Sequence, residues 1–239
     1  MSLNYQSRFE VSDTKYEKIP QIMAIIALIC AAVVAVLDIV LGRQPIVISR
    51  ITLNALITQS ILVAVLRGGE SLALLVAVNQ WRKRNVLDPS ASTPLLIFLA
   101  MTLLFLLLVP TEIVRYYARA NSYFAPTTTL ATTPIYFYFI RMTLYIAIWA
   151  ILFANNRLPF MRGNMVSRVG MIGFLVARTC YLLASVASYY LFRLLAKSGG
   201  MNPFKTIQLG ANILLVISAG ILAIGLVLPV PESPEDQYR

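Results

Sequence analysis

Asp38, Glu112, Arg141 and Arg178 are the residues best placed to do chemistry, because each falls inside, or at the end of, a long apolar run. In hydrocarbon an ionised side chain costs about 2.5–3.5 kcal/mol at mid-span, so each must meet a partner, a cavity or water. Two spacing patterns add to this. Tyr138, Arg141, Tyr145 and Trp149 stand at i, i+3, i+7 and i+11, and Arg178, Tyr181, Ser185 and Tyr189 repeat those offsets, so each set forms one stripe on a helix. An arginine among aromatic rings on each of two helices reads as a pocket wall, to which Asn54 and Asn212 add amides. A carboxyl group in apolar surroundings keeps its proton and can donate it, and aromatic faces stabilise a developing cation. Such a pocket suits acid-initiated isomerisation or cyclisation of a lipophilic, isoprenoid-like substrate, with Glu112 or Asp38 as the acid. The arginines pull the other way: they suit a carboxylate or diphosphate head group.

The elements that must position these residues are membrane spans. Of 239 residues, 59% are hydrophobic and 13% charged. Mean hydropathy is +0.76. An ordinary soluble domain is roughly a quarter charged. A hydrocarbon core of about 30 Å takes roughly 20 apolar residues in a helix, and six runs qualify: 19–41, 46–66, 94–117, 132–154, 166–195 and 206–228. The expected fold is an all-α, polytopic bundle of six transmembrane helices over 19–229, with a polar N-terminal segment at 1–18 and a short acidic tail at 230–239. The apolar stretch 70–81 follows Arg67-Gly68-Gly69 and rises only about 18 Å as a helix, too short to cross by itself. It extends the second helix past a glycine hinge, lies in the interface or forms a half-span, and gives a seventh span only if the second is shortened. With six spans and the N-terminus inside, inner flanks hold eleven basic residues and outer flanks seven, which puts both termini in the cytoplasm. The chain is then an integral multi-pass protein of an endomembrane if eukaryotic, or of the plasma membrane if bacterial. In that topology Asp38, Glu112 and Arg141 converge beneath the outer leaflet, with Arg50 or Arg141 as the partner of Asp38.

Other classes are excluded by composition. There is no histidine, which removes His-ligated haem and metal sites, Ser-His and Cys-His nucleophiles and a histidine proton relay. No metal or other cofactor is expected. The basic residues behind the net charge of +10 stand mostly singly between apolar runs, unlike a nucleic-acid surface. The expected partners are membrane lipids and a lipophilic small molecule. Cys30 and Cys180 read as small buried hydrophobes, and Ala27, Ala31 and Ala35 as a close-packing face, as do Ala219 and Ala223. Two other functions fit the same charges: a small-solute transporter or channel with an Arg–acid gate, and a structural subunit of a membrane complex.

Glu112 is followed by Arg115-Tyr116-Tyr117, and Glu70 has Trp81 three turns on. With these acids in aromatic contexts, its size and its six or seven spans, the chain resembles the small polytopic terpene cyclases of fungal secondary metabolism. The resemblance is architectural and implies acid-initiated cyclisation within the membrane. The chain has no aspartate-rich diphosphate motif, which argues against a prenyltransferase or a metal-dependent ionising cyclase.

Overall fold

A computed structural model describes residues 3–41, 50–108, 129–155, 158, 164–195 and 203–228, with side chains for 18–40, 61–106, 136–155, 158, 164–191 and 203–228. These residues form six helices: α1 (Leu3–Leu41), α2 (Arg50–Lys83), α3 (Pro89–Leu108), α4 (Thr129–Ala154), α5 (Met165–Leu195) and α6 (Pro203–Val227). Each contains a stretch of 18 to 27 residues long and apolar enough to cross a membrane. The protein is an integral, multi-pass, all-α membrane protein.

Side-chain size is distributed as in lipid-embedded helices. On α1 the residues facing outward are Ile22, Ile26, Ile29, Val33, Val36 and Val40, while Ala24, Ala27, Ala31 and Ala35 are buried. Lipid is as apolar as isoleucine, so bulk outside costs nothing and small residues inside let helix backbones approach. The tightest case is α5 against α6. A Cβ on Gly170 would stand 2.6 Å from the Leu222 backbone nitrogen, and one on Gly225 2.9 Å from Ser167 Cα. At these two positions only glycine allows the packing.

Local chemistry sets the ends nearby. Asn85 takes φ 56° after α2, the left-handed conformation asparagine tolerates, and Val86 N–H reaches back to the Trp81 carbonyl in a Schellman closure. Pro89 then opens α3, where its missing N–H leaves no helical bond unmade. Asn164 caps α5: its Oδ1 accepts from Ser167 N–H at 3.2 Å, and its Nδ2 donates to the Gly225 carbonyl of α6 at 2.8 Å.

The second span corrects the expectation from sequence. α2 runs unbroken from Arg50 to Lys83 through Gly68-Gly69, and among the described residues its stretch Ile61–Lys83 is long and apolar enough to cross a membrane. The physical reason is packing. A Cβ on Gly69 would press on Cys30 Sγ of α1 at 3.3 Å and one on Gly68 on Leu106 of α3 at 3.2 Å, so the glycines admit neighbours where a hinge was expected. Stretch 70–81 is thus the second part of one continuous helix whose described stretch is long enough to cross.

Each helix packs on its chain neighbours, and α6 packs on α1, so the six close into a ring. Successive helices alternate in direction. Gly68 meets Leu106, Phe105 meets Phe137, Trp149 meets Phe174, and Gly173 meets Ser218. One end of the ring holds Lys18, Arg82, Lys83, Arg84 and Arg168; the other holds Asp38, Tyr189 and Lys205. Neighbouring axes stand about 8–10 Å apart, which leaves a middle that long side chains must fill.

Candidate functional site

Both stripes face inward. Tyr138, Arg141, Tyr145 and Trp149 on α4 are all buried, as are Arg178 and Tyr181 on α5; Ser185 and Tyr189 are half-buried. They meet residues of the other helices on two levels.

The deeper level lies well inside the helices: Tyr145 on α4, Arg178 on α5 and Glu70 on α2 each stand more than two turns from either end of their helix. Each carboxylate oxygen of Glu70 takes one guanidinium. Arg67 Nη1, one turn away on α2, donates to Oε2 at 2.9 Å, and Arg178 Nη2 donates to Oε1 from α5. Glu70 is 0% exposed and Arg178 1%, so the three charges are withdrawn from lipid together. The Arg178 guanidinium also stacks between rings, its Cζ 4.8 Å from the Phe174 centroid and 5.2 Å from that of Tyr145. The Tyr145 hydroxyl donates to the Arg67 carbonyl at 2.9 Å and lies 2.6 Å from Ser71 Oγ. Ser71 in turn is 3.0 Å from Thr102 Oγ1, whose proton goes to the Leu99 carbonyl at 2.8 Å. Three hydroxyl protons serve four contacts, so Ser71 chooses between Tyr145 and Thr102. This network ties α2, α3, α4 and α5 together.

The second level lies toward the Asp38 end. The Tyr181 hydroxyl donates to Asp38 Oδ2 at 3.0 Å, Ser185 Oγ donates to the Tyr181 carbonyl at 2.7 Å, and Gln208 Nε2 donates to Ser185 Oγ at 3.1 Å. Around this chain Tyr138, Met142, Tyr181 and Ala211 form a small buried cluster with Phe139 and Cys180 against it. Arg141 is fully buried with its Cζ 5.8 Å from the Tyr138 ring centroid. Tyr189 extends the aromatic wall, 6.1 Å from Phe139 and 5.0 Å from Tyr190. Asn212, buried on α6, adjoins Ala211.

Of the expected site residues, the structure gathers Asp38, Tyr138, Arg141, Tyr181 and Tyr189 at this end, with Asn212 on the adjoining turn of α6. Tyr145, Trp149 and Arg178 sit deeper, so the single wall expected from the two stripes divides into two levels. Among the described residues Asp38 accepts a hydrogen bond from a phenol, Tyr181, where Arg50 or Arg141 was expected; the Arg50 side chain lies outside the described residues. Glu112 lies outside the described residues. Asn54 lies on α2, with its side chain outside the described residues.

Sequence reasoning named Glu70 only for its aromatic context, without placing it in the site, and passed over Ser71 and Thr102. The signal for Glu70 was present: Arg67 stands at i−3, and the apolar stretch after it ends in Arg82-Lys83-Arg84, the flank of a full span. Among the described residues no group of His, Cys, Asp or Glu is placed to hold a metal ion.

In comparisons with protein families, curated proteins and solved structures, nothing matches this chain. Its function is therefore argued from the site itself.

Proposed function

We propose that the protein is a membrane-embedded enzyme that initiates isomerisation or cyclisation of a lipophilic, isoprenoid-like substrate by proton donation from Asp38. The observation that carries this reading is the 3.0 Å hydrogen bond from Tyr181 into Asp38 Oδ2, in a half-buried position beside the Tyr138–Phe139–Tyr189 rings. With Oδ2 engaged, Oδ1 is the oxygen from which the acid form would give its proton. Transfer to a substrate alkene forms a C–H bond with the π pair and leaves a carbocation, which the aromatic faces stabilise. Loss of a neighbouring C–H proton to the Asp38 carboxylate completes an isomer or a ring and restores the acid. Tyr181 acts as a positioning residue, and Arg141 supplies a cation for a polar head group. Glu112 is the second candidate acid.

The test is conversion of a panel of linear polyprenyl substrates in membranes carrying the protein, followed as formation of products of unchanged mass. Asp38→Asn retains an acceptor for Tyr181 and removes the acid, so turnover is expected to fall at least ~100-fold, and that of Tyr181→Phe less. Unchanged turnover in Asp38→Asn would remove the assignment.

One observation favours transport as a second reading. The Glu70–Arg178 bridge joins α2 to α5 well inside the helices and across the ring, where an ion pair can serve as a gate. Solute flux in proteoliposomes that is lost in Glu70→Gln, with no polyprenyl conversion by the unmodified protein, would favour it.

A further inference from the structure

Among the described residues, four exposed basic side chains stand at one end of the ring: Lys18 on α1, Arg82 and Lys83 on α2, and Arg168 on α5. Three of them end stripes that face lipid. Lys18 precedes the exposed Ile22 and Ile26 at i, i+4 and i+8, and Arg168 precedes Ile172 and Val176 at the same offsets. Lys83 follows Leu72 and Val76, at i, i+4 and i+11. These charges therefore point the same way as the apolar side chains that meet the membrane, and away from the bundle. They also share one depth. Gly69 of α2 packs on Cys30 of α1; Lys18 lies twelve residues back along α1 from that contact and Trp81 twelve residues on along α2, about 18 Å in each case. Glu70 meets Arg178, and Arg168 and Gln80 each lie ten residues from that pair.

That depth is the level of lipid phosphates. Tyr190, exposed on α5, lies twenty-two residues from Arg168, and Val40 lies twenty-two from Lys18 on α1. Each interval rises about 33 Å, against a hydrocarbon core of about 30 Å. Tyrosine rings settle at one boundary, which leaves the basic residues at the other. At the Asp38 end the exposed positions Val40, Tyr136 and Tyr190 are uncharged, and Lys205 is the exposed base among the described residues. Net charge alone would not select a partner, because the sequence before Lys18 and after Leu228 adds acids as well as bases. Placement does: the acid described at the basic end is Asp88, in the connection from α2 to α3, off the three stripes. We infer that this end is a binding surface for anionic phospholipid, whose phosphate takes charge-assisted bonds from Lys18, Arg82, Lys83 and Arg168 while its acyl chains lie against the apolar residues of the same stripes. A zwitterionic head group brings its own cation to these four and is held less well. The surface does not depend on the chemistry proposed at Asp38.

The test uses the full chain in phosphatidylcholine vesicles with a trace of spin-labelled phosphatidylglycerol or spin-labelled phosphatidylcholine, the label on the same acyl chain. The motionally restricted fraction of each gives their relative association with the protein. One basic residue near a membrane surface is worth about a fivefold change in binding, so phosphatidylglycerol is expected to associate at least about threefold more strongly at low ionic strength. Salt at about 1 M, where the Debye length is about 3 Å, should remove most of that preference. Lys18→Gln, Arg82→Gln, Lys83→Gln and Arg168→Gln together should bring the ratio to about one. The pairs Lys18→Gln with Arg168→Gln and Arg82→Gln with Lys83→Gln should each lower it by part, so the result does not hang on the folding of the quadruple variant. Lys205→Gln, at the opposite end, should leave it unchanged, and exchanging Lys for Arg and Arg for Lys at the four positions should preserve it. A ratio of one in the unmodified protein would overturn the proposal, as would a preference that both paired variants retain in full.

Discussion

Tyr145 occupies the position where one hydroxyl serves two helices: it donates to the Arg67 carbonyl and contacts Ser71, while its ring backs the Arg178 guanidinium. Tyr145→Phe keeps the ring and strands those polar groups, so a loss of about 1–3 kcal/mol is expected in unfolding measurements on the reconstituted protein. Thr143→Ala, at a lipid-facing position of the same helix, should change stability by less than about 0.5 kcal/mol. At this scale the sequence was informative about direction and silent about partners. The offsets 138, 141, 145 and 149 assign one helical face, and all four side chains are buried. That Glu70 would meet Arg178 is a contact between residues 108 apart, which no local pattern encodes. Asp38 drew the same kind of unpredicted partner in Tyr181.

At the scale of the helices, the α5–α6 pair is held by close backbone approach and by Asn164. Gly170→Leu must push α6 away, because the new Cβ alone would meet Leu222 backbone atoms. A loss of about 1–3 kcal/mol or more is expected, read as a lowered unfolding midpoint. Asn164→Ala removes the cap of α5 and the bond to Gly225 together, for a loss of about 1–2 kcal/mol in the same assay. The expected spans at 19–41, 132–154, 166–195 and 206–228 agree with the helices to within a few residues, apart from the longer start of α1, because length and hydropathy determine them. The second helix was expected to hinge because Gly68-Gly69 looked like a break, whereas α2 runs straight through them. Glycine breaks a helix that stands in water more readily than one whose neighbours press against the missing side chains.

Over the whole molecule, basic residues mark one end of the ring: Lys18, Arg82, Lys83, Arg84 and Arg168 against Lys205 at the other, among residues with described side chains. The positive-inside bias predicts that this end faces the cytoplasm. In a background with Cys30 and Cys180 changed to alanine, Lys205→Cys should react with a membrane-impermeant maleimide on intact cells or sealed vesicles of cytoplasm-inside orientation, and Asn85→Cys only after permeabilisation. The reverse pattern would invert the topology. The account as a whole depends on buried ions meeting across the ring, and a double-mutant cycle on Glu70 and Arg178 measures this directly. Breaking a buried pair from one side costs about 3–5 kcal/mol, so Glu70→Gln and Arg178→Gln should each destabilise by that amount. The double variant is predicted to lose about as much as either single one, whereas losses that simply add would show that the two side chains do not interact.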